Sequence, residues 1–260
     1  MAGLESLPAD EARERFPQLS VVDRDGVLLD HTAGVISADR TIFGLRRALE
    51  LAGVPLREST RVSGLEDVPA GVRIHTSGGT LEADHVVVAT GAFTPLVMPV
   101  LAGVIAPRRQ VVGFAHPGDV RAPTVCWARL DDGLVYGLPP HGGDGAKMAG
   151  HRLTGSSEDP RCIAPPTSSD REELLRTLEP SLQSVPELER LETCLYSVTR
   201  SEDPVLARVS ARVTVVAGLS GHGFKLGPLL GRIAAHVAMG TSSGVTAYEQ
   251  ARRRFGVTRS

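Results

Sequence analysis

A glycine-rich stretch between an apolar run and a helix constrains the fold of this sequence most. Residues Gly218–Pro228 (Gly-Leu-Ser-Gly-His-Gly-Phe-Lys-Leu-Gly-Pro) directly follow the apolar run Val213–Ala217. A continuously apolar run is typical of a strand buried on both faces, as in an α/β sheet. Glycines let backbone approach a ligand, and the next helix N-terminus offers free N–H groups. The stretch predicts a cofactor- or anion-contacting turn, or else a tight turn that only needs positive φ.

A second buried strand is predicted at Val86–Ala89, where Thr90-Gly91 forms a tight exit. Helical and alternating patterns place further elements around these two strands. The first is a helix with Ile42, Leu45, Leu49 and Ala52 on one face, capped by Ser37 or Asp39 and ended by Gly53. Strands are predicted at Val54–Val62, at Val72–Thr76 and at Leu81–Thr90, of which Val86–Ala89 is the buried end. The last is a helix that has Pro228 in its first turn, carries Leu229, Ile233 and Val237 on one face, and ends at Gly240.

Between Pro95 and Arg200, short strand patterns alternate with Gly- and Pro-containing turns, which indicates a largely antiparallel sheet. The predicted strands are Gln110–Phe114, Thr124–Leu130, Leu134–Leu138 and Ala146–His151, and a helix with the capping box Ser169-x-x-Glu172 and apolar Leu174, Leu175 and Leu178 follows. The predicted fold class is therefore α/β, with a parallel-sheet domain interrupted by an antiparallel β-rich insertion.

Charge and cysteine content exclude several classes of protein. The net charge of −2 gives no electrostatic case for nucleic acid or an anionic membrane. The apolar runs are shorter than the roughly 18 residues that a membrane span needs, and Met1–Asp10 lacks the layout of a signal peptide. The three cysteines are an odd number without metal-type spacing, so we expect neither a disulfide framework nor a metal site. We expect a soluble, cytoplasmic protein.

Lysine is scarce, since only Lys147 and Lys225 among 28 basic residues are lysines. The stretch Gly218–Lys225 resembles the C-terminal flavin loop of the monomeric sarcosine oxidase and N-methyltryptophan oxidase family, FAD enzymes of the D-amino acid oxidase superfamily. Segments that match this family in the same order are Gly34–Ser37, Arg61-Val62, Ala83–Ala92 and Arg108–Gly113. The resemblance covers nearly all of the chain.

The resemblance implies an FAD-dependent amine oxidase. Such an enzyme oxidises the secondary amine of a sarcosine-like N-methyl amino acid to an imine, and dioxygen accepts the electrons to give hydrogen peroxide. It also implies that residues 34–94 plus 201–260 form the FAD-binding domain and residues 1–33 plus 95–200 the substrate domain. The expected partners are a small amino-acid-like amine and dioxygen.

The matching positions carry the family's roles to particular residues. Cys194-Leu195-Tyr196 fits the pattern in which a cysteine binds the flavin covalently, and Lys147 matches a lysine whose charge activates dioxygen. Lys225 matches the lysine that pairs with a substrate carboxylate. The implied catalytic residues are Lys147, His151 and Tyr136; the substrate-binding residues are Lys225 and Tyr196; the cofactor-binding residues are Cys194, Thr90, Gly91, Gly221, His222, Gly223 and Phe224.

The sequence departs from the family in one respect. The family holds the FAD pyrophosphate with a strand, a G-x-G-x-x-G turn and a helix, and these 260 residues contain no G-x-G-x-x-G. In the family the first strand of that unit would lie between Val213–Ala217 and the strand that ends at Thr90, so without it we expect these two strands to have open apolar edges. We also expect weak FAD retention by this chain alone, and a partner chain that supplies the glycine-rich unit.

Two alternative functions stay open. One is a related oxidase acting on glycine, pipecolate or a natural-product amine, because the fold does not fix the substrate. The other is a non-catalytic subunit or remnant that lacks its nucleotide-binding unit.

Overall fold

The computed structural model describes residues 3–131, 133–151 and 157–241, so residues 242–260 of the predicted FAD-binding domain lie outside the described part. The strands, numbered along the chain, are β1 (Leu4–Leu7), β2 (Val27–Asp30), β3 (Val62–Val68), β4 (Gly71–Thr76), β5 (Gly79–Ala83), β6 (Val86–Val88), β7 (Ala106–Ala115), β8 (Trp127–Arg129), β9 (Leu134–Leu138), β10 (Lys147–His151), β11 (Leu188–Val198), β12 (Val205–Ser210) and β13 (Val213–Ala217). The α-helices are α1 (Ala9–Arg15), α2 (Ala38–Leu51), α3 (Thr94–Val97), α4 (Ser168–Leu178) and α5 (Gly223–Met239).

The chain folds as two compact units. Unit 1 contains the described residues of Met1–Ser37, Arg109–Arg152 and Ile163–Cys194. Unit 2 contains the described residues of Ala38–Arg108, Leu153–Cys162 and Leu195–Ser260. Within the described ranges, neither unit has a helix with the length and apolarity required to span a bilayer.

Unit 1 is built on a five-stranded sheet in the order β11-β7-β10-β9-β8. The pairs formed by β7, β10, β9 and β8 are antiparallel, as the alternation of short strands and turns predicted. Helix α4 contributes to the core of this unit, where Leu174 and Leu178 pack in one cluster with Met148 and Leu188. Strand β9 has the predicted bounds. Strand β8 is shorter than the predicted Thr124–Leu130, because only Trp127–Arg129 pair with β9.

The N-terminus of α4 differs from the prediction. The N-cap is Thr167 rather than Ser169, and the capping box pairs Thr167 with Asp170. Both Asp170 carboxylate oxygens also accept hydrogen bonds from Arg109 of β7, at 2.8 and 2.9 Å. The same carboxylate therefore forms the capping box and ties the start of α4 to β7.

Unit 2 contains the sheet β12-β13-β6. Every residue of β13 is buried, as predicted, and β13 pairs in parallel with β6, with Val213 opposite Val86. The two strands are therefore direct neighbours, and the expectation of an open edge is wrong for β13, which lies between β12 and β6. Among the described residues, β6 is one of the two edge strands of this sheet, so its other side is open.

One core of unit 2 lies on one side of β13 and another beneath α5. Val88, Ile105 and Val215 belong to the first core, together with Val72 of a separate three-stranded sheet, β3-β4-β5. Leu230, Ile233 and Val237 of α5 pack with Leu206 and Val216 in the second. The alternation of apolar residues along these elements thus produces two layers that cover β13 on both faces.

Two predicted strands of unit 2 are wrong in their bounds. Val54–Val62 is irregular except for its last residue, because Pro55 and a left-handed Ser59 (φ 52°) break the extended pattern. Leu81–Thr90 is two strands, since the chain leaves one sheet at Ala83 and enters another at Val86. The predicted strand Val72–Thr76 is confirmed within β4.

The predicted helices of unit 2 are confirmed with corrections. Helix α5 begins at Gly223, so Pro228 lies inside the helix rather than in its first turn, and Gly240 ends it at φ 67° as predicted. Leu230 is buried in place of Leu229, which is 44% exposed. Helix α2 ends before Gly53 as expected, but it has no buried residue.

Candidate functional site

Two serines hold the predicted cofactor loop to the exit of β6 in unit 2. Ser197 of β11 donates a hydrogen bond from Oγ to the Gly91 carbonyl (3.2 Å) and accepts one from the Gly218 amide (3.0 Å). Ser220 donates its amide to the Ser197 carbonyl (2.8 Å), and its Oγ accepts from the Thr199 amide (3.3 Å). Gly91 and Gly218, which the sequence singled out separately, are therefore bridged by one side chain.

The glycine conformations explain why this loop tolerates no larger residue at key positions. Gly218 has φ 65°, and a Cβ there would overlap Cγ2 of Thr199. A Cβ at Gly223 would lie 2.8 Å from Cδ1 of Leu219. Gly221 (φ 83°) has space around it but adopts a left-handed backbone that L-residues with side chains avoid. The loop thus presents bare backbone immediately before the N-terminus of α5, which suits a group that approaches the chain closely.

His222 and Lys225 meet at this helix N-terminus. The Lys225 Nζ lies 2.6 Å from His222 Nδ1, and His222 is the N-cap residue but makes no side-chain cap hydrogen bond. Partial burial, followed by the Lys225 charge, lowers the pKa of His222, and Glu202 acts in the opposite direction. Partial removal from water also lowers the pKa of Lys225. The His222 shift favours a neutral imidazole near neutral pH, whereas the Lys225 shift makes the charged ammonium less favourable than it is in water.

The exit of β6 is also organised by hydroxyl groups. Thr94, which is fully buried, donates to the Gly91 carbonyl at 2.8 Å and contacts the Thr90 hydroxyl at 3.1 Å. Gly91 itself has φ 54°. Phe224, the remaining predicted cofactor contact of this unit, is 44% exposed on the first turn of α5.

In unit 1, the predicted catalytic residues share one face of the five-stranded sheet. Lys147 and His151 are four positions apart on β10, so they point to the same side of the sheet as Ala149 between them. Tyr136 of β9 pairs with Ala149 and therefore points to this side too. All three are half-buried. The buried Met148, at the intervening position, belongs to the core that contains α4. The face with Lys147 is consequently the one turned away from that core.

Cys194 lies on the same face as Lys147. Phe114 of β7 is opposite Lys147, and the Arg190 guanidinium stacks 3.9 Å from the Phe114 ring, so Arg190 of β11 lies on the Lys147 side. Cys194 is four positions after Arg190 on β11, so alternation places it on this side as well. Cys194 is exposed, yet nearby protein raises the pKa of its thiol, while the Lys147 charge lowers it. Tyr196 is two residues further along β11 and half-buried.

Sequence reasoning missed the residues that support the loop. Ser197, Thr199, Ser220 and Thr94 are small, uncharged and scattered, and each looks like an ordinary turn or strand residue. Ser197 could have been identified from its position, because it is three residues after Cys194 and directly follows the predicted substrate-binding Tyr196. Ser220 carried a weaker signal as a non-glycine inside a run of glycines; the structure gives it φ 46° and full burial.

Comparison with known proteins places the chain in a family. The FAD dependent oxidoreductase family matches residues 2–237. The chain is 29% identical over 249 residues to monomeric sarcosine oxidase of Bacillus sp. strain B-0618, covering 90% of this chain and 63% of that protein. It is 29% identical over 264 residues to N-methyl-L-tryptophan oxidase of Yersinia pestis, covering 96% of this chain and 70% of that protein.

The fold agrees with this relationship. The crystal structure of glycine oxidase from Geobacillus kaustophilus superposes with a TM-score of 0.75 at 21% identity, covering 99% of this chain and 67% of that chain. This chain therefore belongs to the FAD dependent oxidoreductase family, and the predicted α/β fold is confirmed. It spans 63% of the length of the Bacillus sarcosine oxidase that it matches.

FAD is the cofactor of this family, and the local structure suits such a group. The glycine-rich loop Gly218–Gly223 leads directly to the exposed Phe224 ring and to the first turn of α5, where free N–H groups can bind an anionic group. The described residues contain no cluster of side chains able to hold a metal ion.

Proposed function

We propose that this chain carries the amine-oxidising machinery of a sarcosine oxidase-like flavoprotein. The substrate is the secondary amine of a sarcosine-like N-methyl amino acid, which is oxidised to an imine, and dioxygen is reduced to hydrogen peroxide. Bound FAD supplies the two-electron acceptor. The observation that supports this proposal best is the common sheet face of Lys147, Tyr136, His151 and Cys194, four residues to which the resemblance gives roles beside the flavin.

Each residue has a role that its surroundings favour. Lys147 supplies a positive charge where dioxygen is reduced, since a fixed cation stabilises developing negative charge. Cys194 is the attachment point for the flavin, and Thr90, Gly91, Gly221, His222, Gly223 and Phe224 contact the cofactor. Lys225 and Tyr196 bind the amine substrate, with Lys225 pairing with its carboxylate. His151 and Tyr136 complete the catalytic set beside Lys147.

The domain assignment follows from these roles. We assign residues 34–94 plus 201–260 to FAD binding and residues 1–33 plus 95–200 to the substrate. The loop around Gly218 and the exit at Gly91 belong to the first group of segments, whereas Lys147 and Tyr136 belong to the second.

A panel of amines tests the activity. The chain is incubated with excess FAD, and sarcosine, N-methyltryptophan, glycine and pipecolate are added separately without oxygen. Bleaching of the flavin absorbance by the N-methyl amino acids first, and peroxide release when air is admitted, are the expected results. Preferential bleaching by glycine or pipecolate instead would favour the related oxidase. Absence of bleaching by every amine, with FAD bound, would contradict the proposal.

One observation favours the second candidate, a non-catalytic subunit completed by a partner chain. The open side of β6 and the exposed apolar face of α2 lie within unit 2 and have no covering element among its described residues. A groove of about 270 Å³ lies along β6 and is lined mainly by apolar side chains such as Val62, Leu65 and Val88. A strand added in parallel to β6 would satisfy its free backbone groups.

Titration of the chain with FAD separates the two candidates. We expect weak binding by the 260 residues alone, because they contain no G-x-G-x-x-G to hold the pyrophosphate. Flavin fluorescence quenching measures the affinity. Tight, stoichiometric binding would exclude the need for a partner, and undetectable binding at millimolar FAD would favour the non-catalytic subunit.

A further inference from the structure

The contact between Lys225 and His222 defines the direction of the lysine. Nζ lies 2.6 Å from Nδ1, a distance at which an ammonium N–H donates to an unprotonated ring nitrogen. An imidazole that accepts at Nδ1 while neutral carries its proton on Nε2. One of the three Lys225 N–H groups is used in this hydrogen bond. Because the N–H groups of an ammonium are at fixed angles to one another, the directions of the other two are then restricted as well.

The backbone that carries the imidazole is held by the loop. His222 follows Gly221, whose left-handed φ of 83° turns the chain into α5, and its amide donates to the Leu219 carbonyl at 2.8 Å. The preceding Ser220 is fully buried and bonded to Ser197. Lys225, in contrast, is exposed and is attached through a flexible four-carbon stem. The fixed partner is the histidine and the mobile one is the lysine.

We propose that His222 is a positioning residue for Lys225: by accepting one ammonium N–H at Nδ1, it aims the other two at a ligand carboxylate. This inference rests on the proposed function, in which Lys225 pairs with the carboxylate of the substrate. It adds the requirement that His222 Nδ1 is unprotonated. Protonation of His222 would place an N–H donor and a second positive charge against the Lys225 ammonium.

The contact with His222 therefore makes carboxylate binding by Lys225 weaker at pH values below the pKa of His222. When Nδ1 is protonated the contact with Lys225 is lost, and the ammonium is free to turn away. The charged groups that act on His222 are Lys225, which favours the neutral imidazole, and Glu202, which favours the protonated one. Carboxylate affinity should hold above the pKa of His222, which lies below the ordinary 6.5, and fall as the pH drops through it.

Nuclear magnetic resonance of the histidine side chains tests the contact without any ligand. In the 260-residue chain with ¹⁵N-labelled histidine, Nδ1 of His222 should be unprotonated and Nε2 protonated at pH 8. His222→Asn identifies the signal. Lys225→Met should raise the pKa of His222 toward its ordinary value, but only in part because burial remains, and Glu202→Gln should lower it. A protonated Nδ1 at pH 8, or a pKa unaffected by Lys225→Met, would overturn the proposal.

Binding of acetate, as a minimal carboxylate probe, tests the aiming. Parent affinity should fall about tenfold across the titration of His222. His222→Asn retains an acceptor that does not titrate, so it should keep the affinity measured at pH 8 and lose the acid-side decline. His222→Leu has no acceptor and should bind about tenfold more weakly at pH 8.

The outcomes separate the positioning role from the proposed function. An unchanged acid-side decline in His222→Asn, or full affinity in His222→Leu, would overturn the positioning role. If acetate binds nowhere in this pH range while the histidine signals show the expected tautomer and pKa shifts, the contact stands and the assignment of Lys225 to a substrate carboxylate is the part that fails. Circular dichroism of each variant checks that the loop change leaves the fold intact.

Discussion

The two lysines of this chain have different environments, and the difference predicts separable effects. Lys147 is half-buried on a strand next to Tyr136, whereas Lys225 is exposed at a helix N-terminus beside His222. Lys147→Met should slow flavin reoxidation by dioxygen by orders of magnitude and affect reduction by substrate less; each tenfold loss corresponds to about 1.4 kcal/mol of barrier. Lys225→Met should weaken substrate binding, by about 1.5–3 kcal/mol for one charged hydrogen bond.

Stopped-flow measurement of the two half-reactions in the FAD-loaded chain distinguishes these effects. His141→Ala, an exposed residue with no proposed role, serves as a control and should leave both half-reactions unchanged. If both lysine variants lose the same half-reaction to the same extent, the separate roles are wrong.

Cys194 gives a prediction about pH. A thiolate is the nucleophile in flavin attachment, and local burial raises the pKa of this thiol while Lys147 lowers it. Covalent attachment should therefore become faster as the pH rises from 7 to 9, and Lys147→Met should slow it at a fixed pH. Fluorescence of the acid-precipitated protein measures attached flavin. Cys194→Ala should abolish the signal, and Cys162→Ala, an exposed cysteine outside the proposed site, should keep it.

At the scale of elements, the loop before α5 depends on Gly218. Alanine at φ 65° is strained and its Cβ would overlap Thr199, so Gly218→Ala should lower the free energy of unfolding by about 1–3 kcal/mol. Gly231→Ala is the matched control: it lies within α5 with open space around a Cβ, and it should stabilise by about 0.5–1 kcal/mol. Urea denaturation measures both. Equal effects of the two substitutions would contradict the assigned strain.

The start of α4 should make unit 1 sensitive to acid. Arg109 and the capping hydrogen bonds hold the pKa of Asp170 well below its ordinary 3.8. A depressed carboxyl pKa stabilises the fold above the unfolded value and loses this contribution as the pH falls toward the folded one. Asp170→Asn should therefore reduce stability at pH 7 and flatten its decline below pH 4.

A second aspartate–arginine pair provides the control for this prediction. Asp159 and Arg161 also form an ion pair, but their side chains are 45% and 68% exposed, against 16% and 17% for Asp170 and Arg109. Solvent screens exposed pairs, so Asp159→Asn should have the smaller effect on thermal unfolding at pH 7. A larger effect of Asp159→Asn would contradict the importance of the Arg109 contact.

Sequence predictions were correct for features that depend on neighbouring residues and wrong for features that depend on partners far away in the sequence. Strand β13, the C-terminus of α5 at Gly240 and strand β9 followed from apolar patterns and a single glycine, which act over a few residues. The cap of α4 was misplaced by two residues, and its Asp170 pairs with Arg109, a partner 61 positions away that a local pattern does not reveal. Ser197, which connects Gly91 with Gly218, was missed for the same reason, since both of its partners are distant in sequence.

At the scale of the whole molecule, the apolar surface of α2 is the feature that sequence patterns alone misrepresent. Its apolar stripe predicts burial, yet Ile42, Phe43 and Leu45 are 51%, 73% and 53% exposed. Exposed apolar patches of this kind mark interaction surfaces. Phe43→Ser should reduce binding of the dye ANS and leave the thermal midpoint nearly unchanged, whereas Leu178→Ala, at a fully buried position, should destabilise by about 2–5 kcal/mol. A large loss of stability in Phe43→Ser would mean that α2 is covered.

The parallel pairing of β6 with β13 has a consequence for the order of folding. His85 beside β6 bonds to Thr214 of β13 across 129 positions of sequence, whereas β9 and β10 are joined through a short connection. Closing a loop ten times longer costs about 2 kcal/mol more in chain entropy, so long-range pairing is slow. The hairpin with Lys147 should become protected from hydrogen exchange early in refolding, and Gly91 and Gly218 should come together only at the end. During synthesis, the ribosome must release most of the chain before β6 can find its parallel neighbour.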